Sequence, residues 1–117
     1  FQHAVAVGLR LGDDFFDGYT AEMRAKRDRL CAGLAEAGLD VLEPQGTYFA
    51  SCDIRSIGET NGIDFCMALP ERAGVVAVPT MVFYDDEEAG APIIRFAFCK
   101  KDEVLDEAVH RLKAGLA

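Results

Sequence analysis

The sequence predicts an α+β fold, a small and mostly antiparallel sheet covered by helices on one face. Three observations predict it. Apolar residues recur at three-to-four spacing toward both ends of the chain, residues 47–54 and 93–99 alternate with period two, and turn clusters follow the strand segments closely. At 117 residues the chain is one domain long, and a chain of that size buries roughly 65% of the surface its unfolded form exposes.

Residues 1–11 have a helical pattern that ends at Gly12. Asp13 or Asp14 then offers a carboxylate to cap a second helix of about 20 residues. Its apolar stripe runs Phe16, Tyr19, Met23, Leu30 and Leu34, with Arg27 at the vacant step, and Gly38 closes it in a left-handed conformation. Residues 41–43 and 47–54 read as strands around the turn Pro44-Gln45-Gly46. In the second, Tyr48, Ala50, Cys52 and Ile54 share one face, and Thr47, Phe49, Ser51 and Asp53 the other. After a polar loop, Asp64 is placed to cap a short helix through Phe65, Met67 and Leu69, which Pro70 must kink or restart and Gly74 ends. Residues 75–78 form an apolar run that suits a strand covered on both faces, and residues 82–84 continue it in extended form past Pro79. Asp85, Asp86, Glu87 and Glu88 form a solvated loop. The last strand puts Ile94, Phe96 and Phe98 on one face and Ile93, Arg95, Ala97 and Cys99 on the other. Asp102 is placed to cap the closing helix, whose stripe is Val104, Leu105, Ala108, Val109 and Leu112, with His110 beside it.

Twenty acidic side chains against 12 basic ones leave a net charge of −8, which excludes a basic footprint for nucleic acid or an anionic membrane. No apolar run reaches the roughly 18 residues of a spanning helix. Cys31, Cys52, Cys66 and Cys99 form no C-x-x-C pair, and His3 and His110 lack metal-ligand spacing to them. Each cysteine lies in an apolar segment, so all four read as unpaired core thiols in a reducing, cytoplasmic compartment. The chain starts at Phe1 inside an apolar-periodic segment, and it reads as a piece of something longer.

Catalytic constellations are sparse. No nucleophile elbow, phosphate loop, zinc helix or dinucleotide fingerprint is present. Asp53 and the Asp85 cluster offer carboxylates without a second acid at a defined spacing, and Cys99 with His110 lacks a third group to orient them. Arg95 is different. It stands in the middle of Ile93-Ile94-Arg95-Phe96-Ala97-Phe98, an otherwise apolar strand, and a guanidinium cannot shed its charge. It needs solvent or an anion, and its two parallel N–H donors match a carboxylate.

Three segments, in order and across nearly the whole chain, carry a resemblance. Glu43-Pro44-Gln45-Gly46-Thr47-Tyr48-Phe49 followed by Asp53, Leu69 through Gly74-Val75-Val76-Ala77-Val78-Pro79 with Phe83, and Ile94-Arg95-Phe96-Ala97-Phe98 followed by Leu105, Ala108, Arg111 and Leu112 resemble the small domain of class I/II aminotransferases. These are fold type I, pyridoxal-phosphate-dependent enzymes, and among them the chain looks most like the N-succinyldiaminopimelate aminotransferases of actinobacteria. Thr80 departs from the pattern, standing where the family usually has glycine.

The resemblance implies that residues 1–12 are the tail of a large, cofactor-binding domain and residues 13–117 the small domain. Arg95 then grips the α-carboxylate of amino-acid and 2-oxo-acid substrates, and Tyr48 sits beside them. Pyridoxal 5'-phosphate and the catalytic lysine belong to the large domain. Lys26, Lys100, Lys101 and Lys113 match no such motif, so no catalytic, cofactor-binding or metal-binding residue is expected here and this piece alone is expected to be inactive. Transamination in amino-acid or lysine biosynthesis by a cytoplasmic homodimer is the activity implied for the intact enzyme. A C–S lyase of the same fold and a non-catalytic α+β ligand-binding module are the alternatives.

Overall fold

A computed structural model describes residues 1–117. Helix α1 (Gln2–Gly8) and the long α2 (Asp13–Glu36) precede strands β1 (Asp40–Leu42) and β2 (Phe49–Asp53). A 3-10 turn (Ile54–Ile57) leads to α3 (Gly62–Ala73), the short strand β3 (Val78–Pro79), a second 3-10 turn (Met81–Phe83) and α4 (Glu87–Gly90). Strand β4 (Ile93–Ala97) and α5 (Asp102–Leu116) complete the chain. The four strands pair antiparallel throughout in the order β1-β2-β4-β3, and α2, α3 and α5 pack on one face, as the α+β pattern predicts. None of the helices is long and apolar enough to cross a membrane.

The alternation within the two central strands decides where the core lies. Ala50, Cys52, Ile54, Ile94, Phe96 and Phe98 are all buried toward the helices, where Leu30, Leu34, Phe65, Leu69, Leu105 and Leu112 meet them. The other residues of the same strands, Phe49, Ser51, Ile93, Arg95 and Ala97, stay half-buried on the opposite face. Asp53 is the exception, buried because its carboxylate pairs with Arg55 and accepts the Arg55 N–H that opens the first 3-10 turn.

Helix α2 ends as its glycine predicts. Gly38, at φ +92°, donates its N–H to the Ala35 carbonyl, and Leu39 donates to Leu34, so two orphan carbonyls are satisfied while both leucines stay buried. Gly74, at φ +64°, ends α3 in the same left-handed conformation. The N-termini differ from expectation. Asn61, not Asp64, caps α3, accepting from the Ile63 and Asp64 N–H groups; Asp64 sits inside the first turn. Gly12 precedes α2 and Lys101 precedes α5 without side-chain caps, so Asp13, Asp14 and Asp102 act as first-turn charges against the helix dipole. Pro70 is carried within an unbroken α3.

Residues 75–84 depart furthest from the pattern. Val75 and Ala77 are buried but Val76 is 74% exposed, so the run is not covered on both faces, and only Val78 and Pro79 pair with β4. This is a sheet edge, where a proline without an N–H is tolerated. Residues 81–83 coil into a 3-10 turn instead of extending. Thr80 takes a right-handed conformation (φ −89°, ψ −20°), which needs no glycine. The acidic run is exposed as expected, though Asp86 caps the short α4 within it.

The stripe of α2 is buried only in its C-terminal half. Residues 1–22 bury no side chain, and Phe15, Phe16 and Tyr19 face solvent with Val5, Val7 and Leu9. That projecting arm gives a radius of gyration of 16.0 Å, against about 13 Å for a compact chain of this length. The four cysteines are free, with Cys52 and Cys66 buried and Cys31 half-buried. Cys99 is exposed, contrary to the core reading, because it lies past the end of β4 on the parity that faces away from the helices.

Candidate functional site

Arg95 sits at the centre of β4, opposite Ser51 of β2 and Val78 of β3. Those slim neighbours let its long side chain lie over the face of the sheet that the helices leave open. Two aromatic rings flank the guanidinium. Its Cζ lies 4.2 Å from the centroid of Phe49, on the same face of β2, and 4.3 Å from that of Phe83, on the second 3-10 turn. Contacts of this kind favour a cation by about 0.5–2 kcal/mol each.

No carboxylate reaches this cation. Arg27, Arg29, Arg55, Arg72 and Arg111 all have acidic partners, and Arg95 has none. Its Nε is buried without any hydrogen-bond partner. Ring faces attract the charge but leave the in-plane N–H donors unused, and such donors are costly to leave unpaired. The donors lie in a cleft of about 520 Å³ whose walls include Thr47, Phe49, Ser51, Thr80, Phe83 and Tyr84. Arg95 is the sole Lys, Arg, Asp, Glu or His among the lining residues, so the cleft presents a single positive charge to a planar anion.

The rim is held locally. Thr47 has φ +63°, a left-handed conformation that is strained for a β-branched residue, and its hydroxyl accepts the Phe49 N–H at 3.3 Å. Arg27, at the vacant step of the α2 stripe, donates to the Pro44 carbonyl at 3.3 Å and ties the turn to the helix.

Of the residues singled out from sequence, Arg95 lies at the heart of the cleft. Tyr48 is exposed and outside its lining, with its ring 4.4 Å from Phe49 at a 39° tilt. Phe49 and Phe83 are the residues that pattern reasoning left without a role. Phe49 could have been found from strand parity, since it shares a face with Ser51, but nothing local brings Phe83 to Arg95. Asp53 is occupied by Arg55, whose guanidinium holds its carboxyl below the usual range. No three His, Cys, Asp or Glu side chains converge to hold a metal ion. Cys99 and His110 are both exposed, and neither lines the cleft. A second hollow of about 500 Å³, between β4 and α5, is largely apolar, and Arg111 on its rim is paired with Glu107.

Comparison with known proteins adds to this geometry. A family model described as aminotransferase class I and II matches residues 1–112. The chain is 42% identical, over 96% of its length, to "Probable N-succinyldiaminopimelate aminotransferase DapC" of Mycobacterium tuberculosis, and 34% identical, again over 96%, to the methionine aminotransferase of Escherichia coli. The solved structure of N-succinyldiaminopimelate aminotransferase from Mycobacterium tuberculosis superposes on 99% of the chain with a TM-score of 0.90 and 44% identity. The chain spans about 30% of the length of these relatives, 30%, 29% and 30% in turn.

Proposed function

The chain belongs to the class I and II aminotransferase family, and on that premise we propose that it is the substrate-gripping small domain of an enzyme that moves an amino group between an amino acid and a 2-oxo acid. One observation carries the reading: a guanidinium without an acidic partner, flanked by two rings, inside a cleft with no other charge. Both substrates of a transamination carry an α-carboxylate, so one fixed cation serves both half-reactions. The planar fork matches that group with two parallel bonds. Tyr48, which lies outside the lining of the cleft, has a lesser part in this reading: its ring rests against Phe49, one of the two rings that flank Arg95.

The cleft contains no lysine and a single cation. It therefore fits a carboxylate and does not fit pyridoxal 5'-phosphate, which residues outside residues 1–117 would hold. When bound there, the cofactor would supply an electron sink for charge developing at Cα. The part of residues 13–117 is to fix the substrate by its carboxylate and to keep water from it when the two domains close. Residues 1–12 are the tail of the large domain, a reading supported by the apolar side chains they leave on solvent. The finer reading is an N-succinyldiaminopimelate aminotransferase of lysine biosynthesis, a cytoplasmic homodimer, and the 42% identity to a relative so named supports it.

The test is to express the whole open reading frame and follow its absorption with a panel of L-glutamate, L-methionine and N-succinyl-L,L-diaminopimelate. A band at roughly 330–430 nm that shifts on adding an amino acid, fastest with the succinyl donor, is the expected result. A colourless protein, or a band that no donor shifts, refutes the transaminase reading. Arg95→Ala should lower kcat/KM by about 10²–10³·⁵-fold, the equivalent of about 3–5 kcal/mol for a broken buried charge pair. Arg95→Lys should lose most of that too, because a point charge does not replace the fork.

A further inference from the structure

Thr80 is a buried polar residue that carboxylate binding by itself does not explain. Its N–H donates to the Ile93 carbonyl at 3.0 Å, and its hydroxyl donates to the same oxygen at 2.8 Å with the Gly90 carbonyl at 3.3 Å. These bonds tie together the two ends of the excursion formed by residues 81–92, which leaves the sheet edge after β3 and returns at β4. The Thr80 carbonyl in turn accepts the Phe83 N–H at 2.9 Å and starts the 3-10 turn. Inside the excursion, α4 lies so close that a Cβ on Gly90 would be 2.7 Å from the Met81 Cα and 2.9 Å from the Tyr84 ring.

Phe83 itself is 61% exposed. Packing around its ring is therefore too slight to hold it 4.3 Å from Arg95, and its place comes from the backbone that Thr80 and Gly90 constrain. We propose that Thr80 is a positioning residue: its hydroxyl sets the 81–92 strap so that Phe83 stands against Arg95 and keeps the guanidinium ready for the substrate carboxylate. This rests on the carboxylate reading above and extends it to a residue that lines the same cleft without supplying the charge. Loss of the hydroxyl leaves the Gly90 carbonyl without its partner and lets the strap relax. Arg95 then gains freedom and loses the ring, so substrate binds less well. The reacting atoms lie elsewhere, and the loss falls on KM more than on kcat.

The experiment uses the holoenzyme from the whole open reading frame and single-turnover half-reactions with the fastest donor of the panel above. Thr80→Val should raise the apparent KM roughly tenfold, the scale of one lost cation–ring contact, with the maximal rate unchanged. Thr80→Ser, which keeps the hydroxyl, should restore wild-type binding, and Phe83→Leu should reproduce the Thr80→Val loss. Combined with Arg95→Ala, Thr80→Val should add nothing further, since the group it positions is gone. A wild-type KM in both Thr80→Val and Phe83→Leu overturns the inference, as does a Thr80→Val loss that persists undiminished beside Arg95→Ala. If Thr80→Val fails to retain cofactor absorbance, Phe83→Leu decides alone, because it disturbs no buried hydrogen bond. A wild-type kcat/KM in Arg95→Ala instead removes the carboxylate reading itself, so the two failures are distinct.

Discussion

Gly33 is a position where α2 packs tightly against Val109 of α5, and replacing it tests how the helical layer beneath the Arg95 sheet is packed. A Cβ added there would lie 2.3 Å from Val109 Cγ2, 2.7 Å from Cγ1 and 3.0 Å from Cβ. Carbon atoms rest at roughly 3.5–4.0 Å, so the overlap with both methyls is about 1 Å. Valine in a helix keeps one strongly preferred rotamer, so Val109 has no easy way to turn aside. Gly33→Ala must push apart two helices that bury Leu30, Leu34, Leu105 and Leu112 between them and the sheet. Overpacking of this kind costs about 1–3 kcal/mol, and the overlap with two methyls argues for the upper end. Alanine returns about 1 kcal/mol of helix propensity, so the expected net loss is about 2 kcal/mol. With Val109→Ala in place both methyl overlaps are gone and only the 3.0 Å approach to the residue-109 Cβ remains, so the same substitution should cost at least about 1 kcal/mol less than it does beside valine. Urea unfolding of the 117-residue chain, followed by far-ultraviolet circular dichroism for all four members of the cycle, measures the coupling. The reasoning fails if Gly33→Ala is neutral or stabilising beside Val109, or if its effect is the same in both backgrounds.

Two further outcomes follow from the titratable groups. The Arg55 hydrogen bonds hold the Asp53 carboxyl below its ordinary value of 3.8, so the folded chain gains stability above that value and loses it as pH falls through the lowered one. Asp53→Asn should keep the Arg55 N–H acceptor but lose that acid limb, and urea midpoints taken from about pH 6 down to about pH 2 should converge with the natural chain at the acid end. A gap between the two that is the same at every pH would mean the carboxylate charge is not its source. Burial pushes the Cys52 thiol up to about 12 and the Cys66 thiol up to about 11, while Cys99 is exposed. Brief iodoacetamide treatment near pH 8, read by mass spectrometry, should label Cys99 first and reach Cys52 and Cys66 only in denaturant. Labelling of Cys52 at the pace of Cys99 in the folded chain contradicts the packing described.

Where local pattern and environment agree, the fold was legible in advance. Ala50, Cys52 and Ile54, and Ile94, Phe96 and Phe98, turn to the core because side chains alternate along a strand and one face meets the helices. Gly38 and Gly74 end their helices because a left-handed residue there costs glycine nothing. The run at residues 75–78 misled because its valines read alike in sequence. Their burial differs only because β3 is a two-residue edge strand that places Val76 in solvent. Asp64 misled for a related reason, since Asn61 lies three residues earlier and offers the helix the same kind of acceptor.

By itself the sequence determined the layer order, the faces of the two central strands, and the one residue that no apolar strand explains. Arg95 stands out because an unshed charge among isoleucines and phenylalanines is costly wherever it folds, and that cost can be read without coordinates. Only the tertiary structure decided what surrounds it. Phe49 reaches the guanidinium through the antiparallel register of β2 on β4. Phe83 reaches it through the return of residues 81–92 to the Thr80 hydroxyl. Both are pairings between segments distant in sequence, and local periodicity carries no information about which distant backbone supplies the partner.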